Sequence, residues 1–323
     1  MYVTLQQAIA QLKNGEVVAI PTETVYGLAA DATNDAALRQ IYAIKQRPMD
    51  NPLIVHIADA SLVTNWAAEF SPLAKKLALA FWPGPFTLVL LAKNNISTIV
   101  RGGQPTVALR VPSHALALQV LKESGLALAA PSANKFTQLS PTTAAHVAAG
   151  LGEAVAVLDG GACSVGIEST IVSVCGDDWQ LLRLGMVLEA EIQKIAGKPA
   201  TKSAPKNTPK APGQHLLHYS PKTPISLFKT RNALLQHAQN STTSCVALLM
   251  GADENKTTLA INLYPCCEYL VLPNQAALAA EQLYSALHQL DKVNAAQLLI
   301  ELPPSGAQWL AILDRLTRAA HVN

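Results

Sequence analysis

The stretch NDAALRQIYAIKQRPMDNPLIVHI, residues 34–57, decides how the chain is read. Asn34 stands where a helix cap belongs, and Leu38, Ile41 and Tyr42 recur at helical spacing up to Lys45. Two prolines, Pro48 and Pro52, then break the helical pattern. The apolar run PLIVHI follows and reads as a strand. Helix, short polar loop and buried strand form the repeating unit of an α/β sheet protein. The loop between them carries Lys45, Arg47 and Asn51, and His56 stands near the strand's end. Such a cluster is either a solvated helix end or a place for an anionic ligand.

Outward from this stretch the alternation continues in both directions. EVVAIP, FTLVLLA, TVALRVP, LALAAP, AVAVLDG, STIVSV and WQLLRLG read as strands. TLQQAIAQLKNG, SPLAKKLALAFW, SHALALQVLKESG and LEAEIQKIAG read as helices. Ser71 with Pro72 marks one helix start and Ser113 another, while Gly125 marks an end. The expected fold is α/β: a mixed, twisted sheet with flanking helices over residues 1–197. Residues 198–224 are dense in proline and lysine and form no core element, so they read as a linker. Its end, HLLHYSP, has Leu216, Leu217 and Tyr219 to bury, and so can lie on a domain. Alternation resumes over 225–323 as a small Rossmann-like α/β domain with a parallel sheet and no G-x-G-x-x-G.

Bulk numbers narrow the function. The chain has 323 residues, 50% of them hydrophobic, enough for two cores. Charged residues make up 14% and the formal net charge is +2, which excludes a polybasic nucleic-acid binder and leaves at most a weak, local RNA contact. No apolar run approaches the roughly 20 residues of a membrane-spanning helix, so no membrane contact is expected. The N-terminus has no signal-peptide pattern, and the five cysteines form no CxxC pair; a reducing, cytoplasmic setting without structural zinc is expected.

Several strand ends carry polar groups. PTETVYG (21–27) offers Thr22, Glu23, Thr24 and Tyr26, as turn chemistry or as a ligand loop. Arg110 stands in the apolar strand TVALRVP, facing with Ala108 and away from Leu109. A buried guanidinium needs a partner. With few acids close in sequence, a ligand carboxylate is favoured over an internal Asp or Glu. Arg183 in LLRLG is the same anomaly. APSANKFTQLSPTT adds Ser132, Asn134 and Ser140, the last with Pro141 also readable as a helix start, and GIESTIVSV adds Ser169. There is no P-loop, G-x-S-x-G or H-E-x-x-H. A site of cations, hydroxyls and backbone amides suits phosphoryl or nucleotidyl transfer, where positioning and charge stabilisation dominate.

PTETVYGLAADA, KQRPMDNPLIVHI, PTVALRVP, APSAN, SPTTAAHV, GIESTIVSV and LRLGMV, in this order, resemble the YrdC-domain family. With the linker and second domain, the chain is similar to the two-domain threonylcarbamoyl-AMP synthases. The resemblance implies a nucleotidyltransferase that joins L-threonine, bicarbonate and ATP, with magnesium, and releases pyrophosphate. Its product would pass to tRNA threonylcarbamoyl-transfer proteins, for modification beside the anticodon. The resemblance also assigns residues. Thr24, His56, Arg110 and Ser169 would surround threonine. Arg47, Asn51, Thr106, Ser132, Ser140, Arg183 and Tyr219 would hold ATP, with Lys45 and Arg47 as the catalytic cations and the linker as a lid. An RNA-binding module of the YrdC type, or a carbamoyl-transferring maturation enzyme of the same fold, are the rival readings.

Overall fold

The structure, a computed structural model, describes residues 1–199, 211–212, 219–251 and 266–320. The chain divides into two compact units. The first comprises residues 1–136, 141–164 and 168–214, and the second 137–140, 165–167 and 215–323.

Among the described residues, ten strands build the first unit: β1 (Tyr2–Val3), β2 (Val18–Ile20), β3 (Gly27–Asp31), β4 (Ile54–His56), β5 (Phe86–Leu91), β6 (Thr106–Arg110), β7 (Leu128–Ala129), β8 (Ala156–Leu158), β9 (Thr170–Cys175) and β10 (Asp178–Arg183). They lie in the order β1-β8-β2-β3-β7-β4-β6-β5-β9-β10. The sheet is mixed: β4 runs parallel to β6 and β5 to β9, whereas β5–β6, β4–β7 and β9–β10 are antiparallel. This is the expected sheet. The GLAAD segment is a strand that the sequence reading passed over. It pairs antiparallel with β2, so PTETVYG is the tip of a hairpin.

Strand alternation divides the sheet's residues between two faces. Val55, Leu88, Leu109 and Val172 point into the main core, against Leu38, Ile41 and Tyr42 of helix Asp35–Lys45 and Leu73 and Leu77 of helix Pro72–Phe81. Each such buried side chain contributes about 1.5–3 kcal/mol. The opposite face presents Ile54, Val89, Ala108 and Ile171, which gather around Ala211. The polar residues two positions along the strands from them, His56, Arg110 and Thr87, share the face.

The caps follow the sequence in two helices of three. Asn34 Oδ1 accepts from the amides of Ala36 and Ala37, and Ser71 Oγ accepts from Ala74. Ser113 is no cap. Helix Ala115–Ser124 starts one residue later, His114 takes the cap position without a side-chain bond, and Gly125 closes the helix at φ 71°. The helix read from Ser140 and Pro141 begins later too: Thr143 caps Ala144–Leu151, its hydroxyl accepting from His146.

In the second unit β11 (Ile225–Phe228), β12 (Cys245–Met250), β13 (Cys266–Leu272) and β14 (Gln297–Glu301) form an all-parallel sheet in the order β11-β14-β12-β13. The continuous apolar run of β12 is buried throughout, as a central parallel strand should be. At the strands' carboxyl ends Glu301 Oε2 accepts from Met250 N at 2.9 Å and Arg231 Nε at 3.0 Å. Tyr219 lies in this unit at φ 64°. Its ring is 5.9 Å from that of Tyr284, and Arg315 stacks 5.0 Å over it. The linker residues 200–210 and 213–218 lie outside the described residues.

Candidate active site

Arg110 ends β6 and is 3% exposed. Its Nε donates to Gly84 O at 3.2 Å and its Nη1 to Thr24 Oγ1 at 2.9 Å, while its Nη2 stands 2.6 Å from Glu23 Oε1. The acid that seemed too remote in sequence is therefore present. The expectation that Arg110 lacks an internal carboxylate is corrected, because the β2–β3 hairpin carries Glu23 across the sheet to meet it. Burial is the largest single influence and raises the Glu23 carboxyl, but the Arg110 charge, together with hydrogen bonding from Arg110 and from the backbone at Glu23 and Ser113, holds the group below its usual value. Thr22 builds the hairpin tip: its hydroxyl donates to Val25 O at 2.6 Å and accepts from the amides of Thr24 and Val25.

His56 ends β4 in register with Arg110. Its Nδ1 lies 3.2 Å from Ile54 O. Burial and the neighbouring Arg110 charge depress it to about 3, so the imidazole is neutral. An unfolded histidine protonates near 6.5, so the unfolded chain takes up a proton that the folded one refuses. Stability should therefore fall as pH drops from about 6.5 towards about 3. Replacing His56 with Gln is expected to flatten that slope in acid unfolding curves. An unchanged slope would show that His56 is not the group responsible.

Ser169 precedes β9. Its hydroxyl is 2.8 Å from Thr87 Oγ1 and accepts from Arg183 Nη2 at 3.0 Å, and its carbonyl accepts from Arg183 Nε at 3.0 Å. The antiparallel β9–β10 pair brings Arg183 there. Arg183 Nη1 also reaches Pro212 O at 3.1 Å, so two linker residues, Ala211 and Pro212, lie on this unit. Gly185 sits so close behind that a Cβ would come within 2.8 Å of the Ser169 carbonyl carbon.

Lys45 and Arg47 are not a solvated helix end: they are 1% and 8% exposed. Lys45 Nζ donates to the carbonyls of Ser132 and Asn134, each at 2.6 Å. Burial, with repulsion from Arg47, holds Lys45 well below its ordinary value, against the pull of Glu168. Arg47 Nη2 donates to Pro52 O at 3.1 Å, and the guanidinium lies 5.6 Å from the Phe136 ring centre. Asn51 is buried beside it.

The register sorts these residues by position. Because β4 and β6 run parallel, His56 and Arg110 share their carboxyl ends, while Asn51 and Thr106 share the opposite ends. Ser132 lies beyond β7, which runs antiparallel to β4, and so falls towards the amino end with Lys45 and Arg47. Thr24 joins Arg110 at the carboxyl end; Ser169 and Thr87 follow from β5 and β9, one step beyond the Leu88–Leu109 pair. Arg183, expected to hold nucleotide, sits with Ser169. Four residues of strand separate Thr106 from Arg110, about 13 Å. Ser140 and Tyr219 belong to the second unit, where Ser140 O accepts from His288 Nε2 at 3.1 Å. Sequence reasoning missed Thr87 and the partnership of Glu23. A lone hydroxyl in FTLVLL, facing with Val89, was the available signal for the first.

The arrangement defines a class: a mixed-sheet α/β protein with one polar sheet face, cationic at one end and amphoteric at the other. Comparison with known proteins places it further. The family model described as "Telomere recombination" matches residues 10–185, and "Threonylcarbamoyl-AMP synthase, C-terminal domain" matches 187–321. The threonylcarbamoyl-AMP synthase of Bacillus subtilis is 38% identical over 98% of this chain and 92% of its own length. That of Pyrococcus abyssi is 34% identical over 96% and 92%. The crystal structure of P. abyssi Sua5 complexed with L-threonine superposes at a TM-score of 0.87 with 32% identity, covering 99% of this chain and 97% of that one. The chain belongs to the threonylcarbamoyl-AMP synthase family, a family of enzymes.

No group of three metal-binding side chains occurs among the described residues, and no described helix is long and apolar enough to cross a membrane.

Proposed function

We propose that the protein condenses L-threonine, bicarbonate and ATP into threonylcarbamoyl-AMP and pyrophosphate. The observation that carries this reading is the segregation along β4 and β6. Lys45, Arg47, Asn51, Thr106 and Ser132 gather at the amino ends, and Thr24, His56, Arg110 and Ser169 at the carboxyl ends. An aminoacyl group next to a nucleotide spans such a distance. The names of the relatives and the threonine found in P. abyssi Sua5 support the assignment.

In this reading the Arg110 fork takes the threonine carboxylate, with Thr24 and Ser169 beside it. The threonine amine, once deprotonated, and bicarbonate give a carbamate with loss of water; a carbamate oxygen then attacks the α-phosphate and expels pyrophosphate. Lys45 and Arg47 offset the charge that develops on the phosphates. The side chains at that end are cations, hydroxyls and one amide, which fit a polyphosphate; magnesium would arrive with ATP and screen its charge. Neutral His56 lines the amino-acid end without adding charge. Carbamates and mixed anhydrides hydrolyse, so the site must exclude water, a task suited to the linker as a lid. Ser140 and Tyr219 are proposed to contact the nucleotide as well. The product would pass to tRNA threonylcarbamoyl-transfer proteins in the cytoplasm.

Purified protein with ATP, magnesium, bicarbonate and L-threonine should release pyrophosphate only when threonine and bicarbonate are both present. No release, with tight salt-sensitive RNA binding, would favour the RNA module. Turnover of carbamoyl phosphate without threonine would favour the maturation enzyme.

A further inference from the structure

Glu23 is 4% exposed, and its carboxylate is held by the Arg110 guanidinium 2.6 Å away and by the backbone at Glu23 and Ser113, none of them aligned as a full hydrogen bond. Arg110 Nη2 is in the same condition. Their 2.6 Å approach is an ion pair without the alignment of a hydrogen bond. Arg110 also donates to Gly84 and Thr24, so the pair is held in place, yet a buried carboxylate and guanidinium gain from better-aligned bonds than the pair makes with itself. Each group keeps capacity for a further partner.

Their neighbours carry no charge to share. His56 is neutral, as argued above. Cys163, 2% exposed and facing Glu23, is pushed up to about 12 by burial and stays a thiol. The buried cluster thus holds one positive and one negative charge side by side. Its electrostatic complement is a ligand with one negative and one positive charge at a similar spacing, which is the head of a free α-amino acid. A ligand bearing only a carboxylate would leave the pocket with an uncompensated negative charge in a low-dielectric setting.

Resting on the threonine reading of this site, we infer that Glu23 is a specificity-determining residue that recognises the α-ammonium of the incoming amino acid while Arg110 takes its carboxylate. Glu23 stays anionic and does not serve as the base. It selects the zwitterion and holds the amino group in one place before carbamate formation, while Thr22 and Thr24 hold the hairpin tip that presents it.

The test compares L-threonine with its α-hydroxy analogue, threo-2,3-dihydroxybutanoate, by calorimetry on the full chain. The wild type should bind threonine about 10–100-fold more tightly, the range expected when a buried charged acceptor is left without its donor. Glu23→Gln should bring the two ligands within about threefold of each other, and Glu23→Asp should restore part of the preference. Binding of a non-hydrolysable ATP analogue reports that each variant is folded. A wild-type preference below threefold, an unaltered preference in Glu23→Gln, or tighter threonine binding by that variant would each overturn the inference. A wild-type preference below about threefold overturns the inference even if Glu23→Gln does not fold, and Glu23→Asp then carries the comparison that isolates Glu23. Wild type that binds neither ligand would instead overturn the threonine reading itself.

Discussion

Arg110→Ala should lose measurable L-threonine binding while keeping its affinity for an ATP analogue. The guanidinium lies at the carboxyl ends of β4 and β6, away from Lys45, Arg47 and Asn51. Removing it takes away the only cation that the described structure places beside Thr24 and His56. It also strands Glu23 as a buried, uncompensated carboxylate, and breaking such a pair costs about 3–5 kcal/mol. In the wild type Glu23 is held low, so its contribution to stability is complete above the ordinary carboxyl value and fades as pH falls through the lowered one. In the variant the Arg110 contributions are gone, and burial, the largest influence, raises the carboxyl against the remaining backbone hydrogen bonds at Glu23 and Ser113. The variant should then regain stability on acidification, and the difference between the two proteins in denaturant titrations should shrink towards low pH. Arg110→Lys separates the two effects: it keeps a positive charge beside Glu23 but loses the planar fork. It should fold nearly as well as wild type and still bind threonine poorly. Equal loss of threonine and ATP-analogue binding in either variant would contradict the division of the site.

The second large effect is expected at the other end. Lys45→Met keeps most of the side chain's volume but leaves the carbonyls of Ser132 and Asn134 without their 2.6 Å donors. A buried carbonyl left unpaired costs about 1–3 kcal/mol, so the loop after β7 should loosen. The same ammonium has a third N–H to offer to phosphate. Loss of one preorganised donor to a developing charge typically lowers turnover by about 10²–10³. Threonine-dependent pyrophosphate release should drop by that factor, with threonine affinity little changed. Threonine affinity falling in parallel would mean that the loop, and not the nucleotide end, is what Lys45 supports.

Much of the fold could be read from local chemistry. Asn34, Ser71 with Pro72, and Gly125 each announce a helix end that the structure has. Ser113 misled because a serine beside an apolar run looks like a cap from sequence alone, while the helix starts one residue on, at Ala115, with His114 at the cap position. The strand Gly27–Asp31 was passed over because its residues are small and carry no β-branched signature. At the site, alternation correctly set Arg110 opposite Leu109 and beside Ala108. Its acid partner was not legible, since a β-hairpin far back in the chain delivers Glu23 and nothing local encodes that pairing. Arg183 shows the same limit. Its isolation in an apolar strand is visible, whereas its bonds to Ser169 exist only through the β9–β10 pairing. For Lys45 and Arg47 the sequence left solvation and ligand binding open, and their burial settles that they are not a solvated surface.

The account stands on a single claim, that one sheet face holds an amino acid and a nucleotide at opposite ends of two parallel strands. A crystal structure of the protein with L-threonine and a non-hydrolysable ATP analogue tests it most directly. The account predicts the threonine carboxylate on Arg110 and the phosphates against Lys45 and Arg47, with the two ligands in one continuous hollow. Threonine bound away from Arg110, or the two ligands in separate hollows, would contradict it.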